Sequence, residues 1–289
     1  MIGENKDNMQ LKEFIKNERG ILIICFLVFL VTAAYAFYYK ISPAVDAQTY
    51  DRIAINLIEG NGYRIDKSLS FDKDEAISYQ GPLYTYFLAA IYFVFGHHYE
   101  VVWLIHALFR ALSALLIFLI CKKLFGEGEY RRIGLISAVL FGFYPDLIEI
   151  GAMLMTETFF IFLSLIVIYV FIRYFGKFNP TNLILLGLFF GLAISTRSTI
   201  GFFFLPFLFY FLWRRQTGYA FFLILLVALI LTPWTIRNYQ VYRVFLPTMA
   251  NGGFGLYTGN HEGGDGEGGV PPNHQEIIAR YGIIGANNY

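Results

Sequence analysis

The chain has 289 residues, of which 57% are apolar and only 15% charged, and its mean hydropathy is +0.54. A water-soluble domain cannot hide that much apolar surface, and several apolar runs approach the ~20 residues needed to cross a bilayer. The chain therefore reads as an all-α polytopic membrane protein. A formal net charge of +1 gives no electrostatic footing for nucleic acid. Cys25 and Cys121 both sit inside apolar runs and read as small packed or lipid-facing hydrophobes.

In chain order, residues 1–19 are polar and carry Lys6, Lys12, Lys16 and Arg19, a composition that predicts a cytoplasmic N-terminus. The apolar run 21–39 is followed by Tyr38-Tyr39-Lys40 rather than a small-residue cleavage site, which predicts a retained span. A transmembrane domain is expected over 20–236, with residues 40–98 as its first external loop. In that loop Ser42-Pro43 predicts a turn, and an amphipathic helix follows that ends at Gly60-Asn61-Gly62. Spacings of three and four place Asp46, Tyr50 and Ile53 on adjoining turns of this helix. The run 82–95 is apolar but short, and further spans are expected near 101–121, 133–147, 156–174, 183–196, 199–213 and 218–234. The Gly-rich remainder, 237–289, is expected to be an external segment that stops in mid-domain, as a truncated chain would.

Basic residues order these spans. If 82–95 crossed the membrane, Lys122, Lys123, Arg131 and Arg132 would fall outside; if it lies along the surface, they fall inside, together with Arg173, Lys177, Arg214 and Arg215. The second arrangement predicts about seven transmembrane helices plus juxtamembrane helices in the first loop. It also gathers Asp46, Asp146, Glu149, Glu157, Arg197 and Arg237 at the outer face, where a lipid-borne substrate would arrive from the side. Arg110 is the exception, midway along its span with His106 one turn earlier. A charge there must face the bundle interior and be paired, so it reads either as a structural joint or as a contact for a substrate phosphate.

Six segments in this order resemble the GT-C glycosyltransferases, in particular the family 39-like branch of protein O-mannosyltransferases and aminoarabinose transferases. They are Pro43 to Tyr63, Tyr79-Gln80-Gly81-Pro82-Leu83-Tyr84, Tyr144-Pro145 with Thr156-Glu157, Gly191 to Arg197, Pro233-Trp234 with Arg237-Asn238, and Gly255 to Asn260. The chain departs from the pattern at Gln80-Gly81, where some members carry a basic residue. The resemblance implies a GT-C-type helical bundle in the cell membrane that works at its external face. It also implies transfer of a sugar, hexosyl or pentosyl, from a polyprenyl-phosphate donor to a hydroxyl on a protein, lipid or glycan.

Such a transfer needs a carboxylate base, and Asp46 is the candidate; the bland alternative is that Asp46 caps its own helix. The leaving phosphate needs fixed positive charge, for which Arg197 and Arg237 come first and Arg110 third; arginines at span ends otherwise anchor by snorkelling. Glu157, with Tyr50, is expected to orient the acceptor or, together with Asp46, to hold magnesium or manganese; otherwise Glu157 sits at a helix N-terminus capped by Thr156 or Thr158. Trp234 reads as part of an interfacial aromatic belt, and Gly263 to Gly269 as a flexible loop rather than a nucleotide cradle. The competing function is a transporter or flippase of lipid-linked sugars.

Overall fold

The computed structural model of the protein describes residues 18–74, 81–126 and 128–249. The expected segments Tyr79-Gln80, Gly255 to Asn260 and Gly263 to Gly269 lie outside the described residues. Among the described residues there are helices and no strands: α1 Arg19–Tyr39, α2 Asp46–Ile58, α3 Pro82–Phe95, α4 Tyr99–Leu124, α5 Tyr130–Gly142, α6 Pro145–Ala152, α7 Thr156–Arg173, α8 Pro180–Thr196, α9 Gly201–Trp213 and α10 Thr217–Tyr242.

Among these, α1, α4, α7 and α10 are long and apolar enough to cross a membrane, and α5 with α6 makes a fifth crossing if the bent pair counts as one. The remaining two expected spans are helices too, but α8 has 17 residues and α9 has 13. At 1.5 Å per residue these reach about 26 and 20 Å, against roughly 30 Å of hydrocarbon. Helix α10 runs to Tyr242, beyond the end expected near 234. The polar Asn238 does not stop it, because its amide donates to the carbonyls of Leu246 and Thr248 and is fully buried.

The chain divides into two compact units, one formed by the described parts of Met1–Pro43 and His98–Phe189, the other by those of Ala44–His97 and Phe190–Tyr289. In the first unit, Ile21, Ala114, Phe118 and Ala138 make a core cluster that joins α1, α4 and α5. Glu18, just before α1, accepts from Lys122 Nζ at 2.7 Å and from Tyr130 Oη at 2.9 Å, and lies 3.7 Å from Arg131. The start of α1, the end of α4 and the start of α5 therefore share one end of this unit, so Tyr39 and Tyr99 share the other. The chain leaves α1 and enters α4 on the same side. Helix α3, at 14 residues, is shorter than a helix that crosses the hydrocarbon unaided.

The first unit also contains a break. α5 and α6 meet at 54°, with Pro145 opening α6 and Asp146 in its first turn. Proline has no N–H to give and bars the residue before it from helical angles, so Tyr144-Pro145 ends one helix and starts the next. Two side chains of α4 hold the joint. Arg110 donates to the carbonyls of Gly142 at 2.9 Å and Phe141 at 3.4 Å, and to Thr32 Oγ1 at 2.8 Å. Four residues earlier, His106 hydrogen-bonds with the backbone of Gly151 and Met153 beyond the break. Gly151 makes room for this: a Cβ there would stand 2.7 Å from Arg110 Cδ.

Candidate active site

The second unit is organised around the amphipathic helix α2. Its inward positions are buried, and each is fastened by a different neighbour. Tyr50 stands edge-on to Tyr84 of α3 at 5.5 Å between ring centres. Ile53 packs on Tyr63 and Trp234. Asn56 donates to the carbonyls of Arg64 and Ile65, which turns the chain back along the helix. Asp51, only 7% exposed, accepts from Tyr92 Oη at 2.7 Å and pairs with His97 Nε2 at 2.9 Å.

Asp46 is the first residue of α2 and is half-buried. The N-cap position belongs to Val45, whose side chain makes no capping hydrogen bond, and Asp46 is the first helical residue. Val45 itself has φ +49° and ψ −116°. A β-branched residue rarely takes positive φ, and such strain costs of order 1–3 kcal/mol; it concentrates where the surrounding structure fixes a functional group. Tyr50, one turn on from Asp46, is buried at 1% exposure, so of this pair only Asp46 retains a solvent-facing surface.

The loop after α2 carries Gly-x-Gly-Tyr onto α10. Tyr63 meets the Trp234 ring at 4.7 Å, its hydroxyl lies 3.3 Å from Thr85 Oγ1, and its carbonyl accepts from Arg237 Nη2 at 3.1 Å. Burial pushes the Tyr63 phenol well above its ordinary pKa, against a smaller opposing pull from Thr85. Trp234 is 9% exposed and donates to the Thr248 carbonyl at 2.6 Å. This corrects the aromatic-belt expectation: the indole N–H finds its partner inside the unit, and the ring is packed by Tyr63 and Tyr86.

A cavity of about 260 Å³ opens beside this cluster, lined among others by Pro82, Tyr86, Ser195, Pro233, Trp234 and Arg237. It gathers segments from distant parts of the sequence. Gly81 is pressed so closely on the Ser195 carbonyl at the end of α8 that a side chain there would collide with it. Pro82 opens α3 from that contact. The Arg237 guanidinium lies over the rings of Trp234 at 4.9 Å, Tyr242 at 5.3 Å and Tyr63 at 5.6 Å, and donates to Asn238 Oδ1 at 3.1 Å. Among the described residues no carboxylate lies within ion-pair distance of it. A cation flanked by aromatic faces and free of a carboxylate is suited to an anionic group with several oxygens.

The other expected residues fall as follows. Arg197 is half-buried just past α8, leads into the short turn Ser198–Ile200, and is not among the residues that line the cavity. Glu157 is half-buried in the first turn of α7, in the first unit, and accepts from Thr156 Oγ1 at 3.2 Å; no side chain caps α7. Arg110 is also in the first unit, 2% exposed and bound to carbonyls. Among the described residues no three of His, Cys, Asp and Glu gather to hold a metal. A wider groove of about 560 Å³ in the first unit, lined by Tyr35, Tyr38, Tyr39, Pro145 and Glu149, has no basic group in its walls. Sequence reasoning missed the Asp51–Tyr92–His97 cluster, because nothing in the chain order joins a loop helix to the far end of the next one.

No curated protein and no solved structure matches the chain. Residues 79–236 match the sequence profile of the dolichyl-phosphate-mannose-protein mannosyltransferase family, a match that begins after α2 and ends one residue before Arg237. That stretch is more than half of the chain, so the protein belongs to this family of membrane glycosyltransferases, whose donor sugar is carried on a lipid phosphate.

Proposed function

We propose that the protein transfers a sugar from a polyprenyl-phosphate donor to an acceptor hydroxyl at the non-cytoplasmic face of the membrane, with inversion at the anomeric carbon. Asp46 takes the hydroxyl proton while the acceptor oxygen bonds to the anomeric carbon. The bond from that carbon to the phosphate oxygen breaks, and lipid phosphate leaves with its electron pair. The observation that carries this reading is the wall shared by Arg237, Tyr63 and Trp234: the aromatic residues that flank the guanidinium, which has no carboxylate partner among the described residues, also pack on Ile53 of the helix that begins with Asp46. Base and phosphate-binding cation are thus two ends of one hydrogen-bonded and packed assembly.

In this reading Arg237 holds the departing phosphate and Arg197 is an auxiliary cation. Glu157 keeps the acceptor-orienting role, Tyr50 braces α2 against Tyr84, and an EDTA titration of turnover tests for a magnesium or manganese requirement. Arg110 is assigned to the α5–α6 joint, because Nη1 donates to Thr32 and Nη2 to two carbonyls, and the remaining Nε is buried on a residue that lines neither cavity. The donor may be tested as mannose, the sugar in the family's description, on polyprenyl phosphate. The transporter reading has no separate observation in its favour.

The test is turnover of radiolabelled polyprenyl-phosphate mannose by the purified protein, with a membrane extract as the source of acceptor. Asp46→Asn is expected to lose a factor of about 10²–10⁴ in kcat, the usual range for general-base catalysis. An Asp46→Asn protein that folds, inserts and turns over at the wild-type rate would refute the assignment.

A further inference from the structure

We propose that Asp51 is a positioning residue for Asp46, acting through α2; this rests on the reading of Asp46 as the base. The Asp51 carboxylate is nearly buried, and two contacts converge on one of its oxygens: Tyr92 Oη at 2.7 Å and His97 Nε2 at 2.9 Å. Tyr92 and His97 are themselves fixed against each other, edge to face, at 4.7 Å. Tyr92 lies in the last turn of α3, and His97 lies just past its end.

The geometry explains what this cluster does for the helix. Tyr50 contacts α3 at Tyr84, and the next residue of α2, Asp51, contacts it at Tyr92. Eight residues along α3 span about 12 Å. The two fastenings come from adjacent residues of α2, about 100° apart round its axis, so together they fix its rotation against α3. A leucine at position 51 would bury at a lower desolvation cost than a carboxylate. What the carboxylate adds is direction, because two donors meeting at one oxygen admit a single orientation of the side chain and so of the helix. At the other end of this segment the strained Val45 leaves the first turn little freedom of its own, so the aim of Asp46 follows from how α2 is held.

A misplacement of about 1 Å between reacting groups can cost ~10²-fold in rate without loss of binding. Asp51→Ala is therefore expected to lower kcat by about 10²-fold while the KM for the donor changes by less than about threefold. Asp51→Asn keeps an oxygen for the Tyr92 hydroxyl and is expected to recover most of that loss. The double variant separates positioning from structural damage. In an Asp46→Asn background, Asp51→Ala should cost nothing further, because there is no base left to aim.

The experiment uses the full chain and the polyprenyl-phosphate mannose assay above, with monodispersity in detergent as the check on folding. If Asp51→Ala does not fold, Tyr92→Phe carries the test: a loss confined to kcat supports the inference, and an unchanged kcat overturns it. An Asp51→Ala protein with wild-type kcat while Asp46→Asn is inactive removes the positioning role and leaves the base in place. The same loss from Asp51→Ala in both backgrounds also overturns it, as structural damage. An active Asp46→Asn removes the base and the positioning role together.

Discussion

Two arginines in apolar helices show how differently the two units use the same side chain. Arg110 in the first unit is 2% exposed, and its donors end on Thr32 and on the carbonyls of Phe141 and Gly142. Those carbonyls belong to the end of α5, where the helix dipole is negative and the carbonyls lack intrahelical partners. The cation is a joint: its two terminal nitrogens are engaged by the broken helix and by Thr32, and the Nε left over is buried. Arg237 in the second unit gives one donor to the Tyr63 carbonyl and one to Asn238, and presents its plane among three aromatic rings beside a cavity. Hydropathy treats these two residues alike. What surrounds the guanidinium decides whether it builds the fold or binds.

The largest structural effect should come from the joint. Arg110→Ala leaves buried carbonyls without donors, at about 1–3 kcal/mol for each unsatisfied group. Thermal unfolding in detergent should show a clear drop in Tm, with donor affinity of the remaining folded protein unchanged. A weakened donor affinity at wild-type Tm would reverse the assignments of the two arginines.

A smaller effect is expected from crowding the cavity wall. Gly81→Ala drives a methyl group into the Ser195 carbonyl, a backbone atom that cannot swing aside. Overpacking of this kind costs typically 1–3 kcal/mol. It should move α3 against the end of α8, lowering both Tm and donor turnover. Wild-type values of both would mean that the contact at Gly81 does not define the cavity.

The smallest effect concerns Tyr63. Its folded-state pKa is raised by burial, so the folded protein resists losing the phenolic proton while the unfolded chain loses it near pH 10. The unfolded state then holds fewer protons than the folded one above that pH, and stability falls as pH rises. Tyr63→Phe should blunt this alkaline loss, at a cost near neutral pH of about 0.5–1.5 kcal/mol for the bond to Thr85. Identical alkaline unfolding of the two proteins would show that Tyr63 is not the group concerned.

Much of the fold was legible in the sequence because the bilayer imposes length and composition. The long apolar runs became α1, α4, α7 and α10. The break at Tyr144-Pro145 lay inside an expected span, at 133–147, and went unread as a break. The partners of Arg110 were not legible, because they are backbone carbonyls and every residue has one. The role of Trp234 was misread because its packing partners, Tyr63 and Tyr86, lie about 170 and 150 positions earlier in the chain. Asp51 was hidden by company: it is one of seven carboxylates between residues 40 and 80, and only the fold shows that Asp51 and Asp74 are buried.

The most direct measurement is equilibrium binding of radiolabelled polyprenyl-phosphate mannose to purified Arg237→Ala, with Arg110→Ala and the wild type alongside. Hydrogen bonds to charged groups contribute about 1.5–3 kcal/mol, so Arg237→Ala should bind the donor roughly 10- to 10²-fold more weakly while Arg110→Ala binds it as the wild type does. Wild-type affinity in Arg237→Ala would contradict the account, and a loss confined to Arg110→Ala would place the donor phosphate in the other unit.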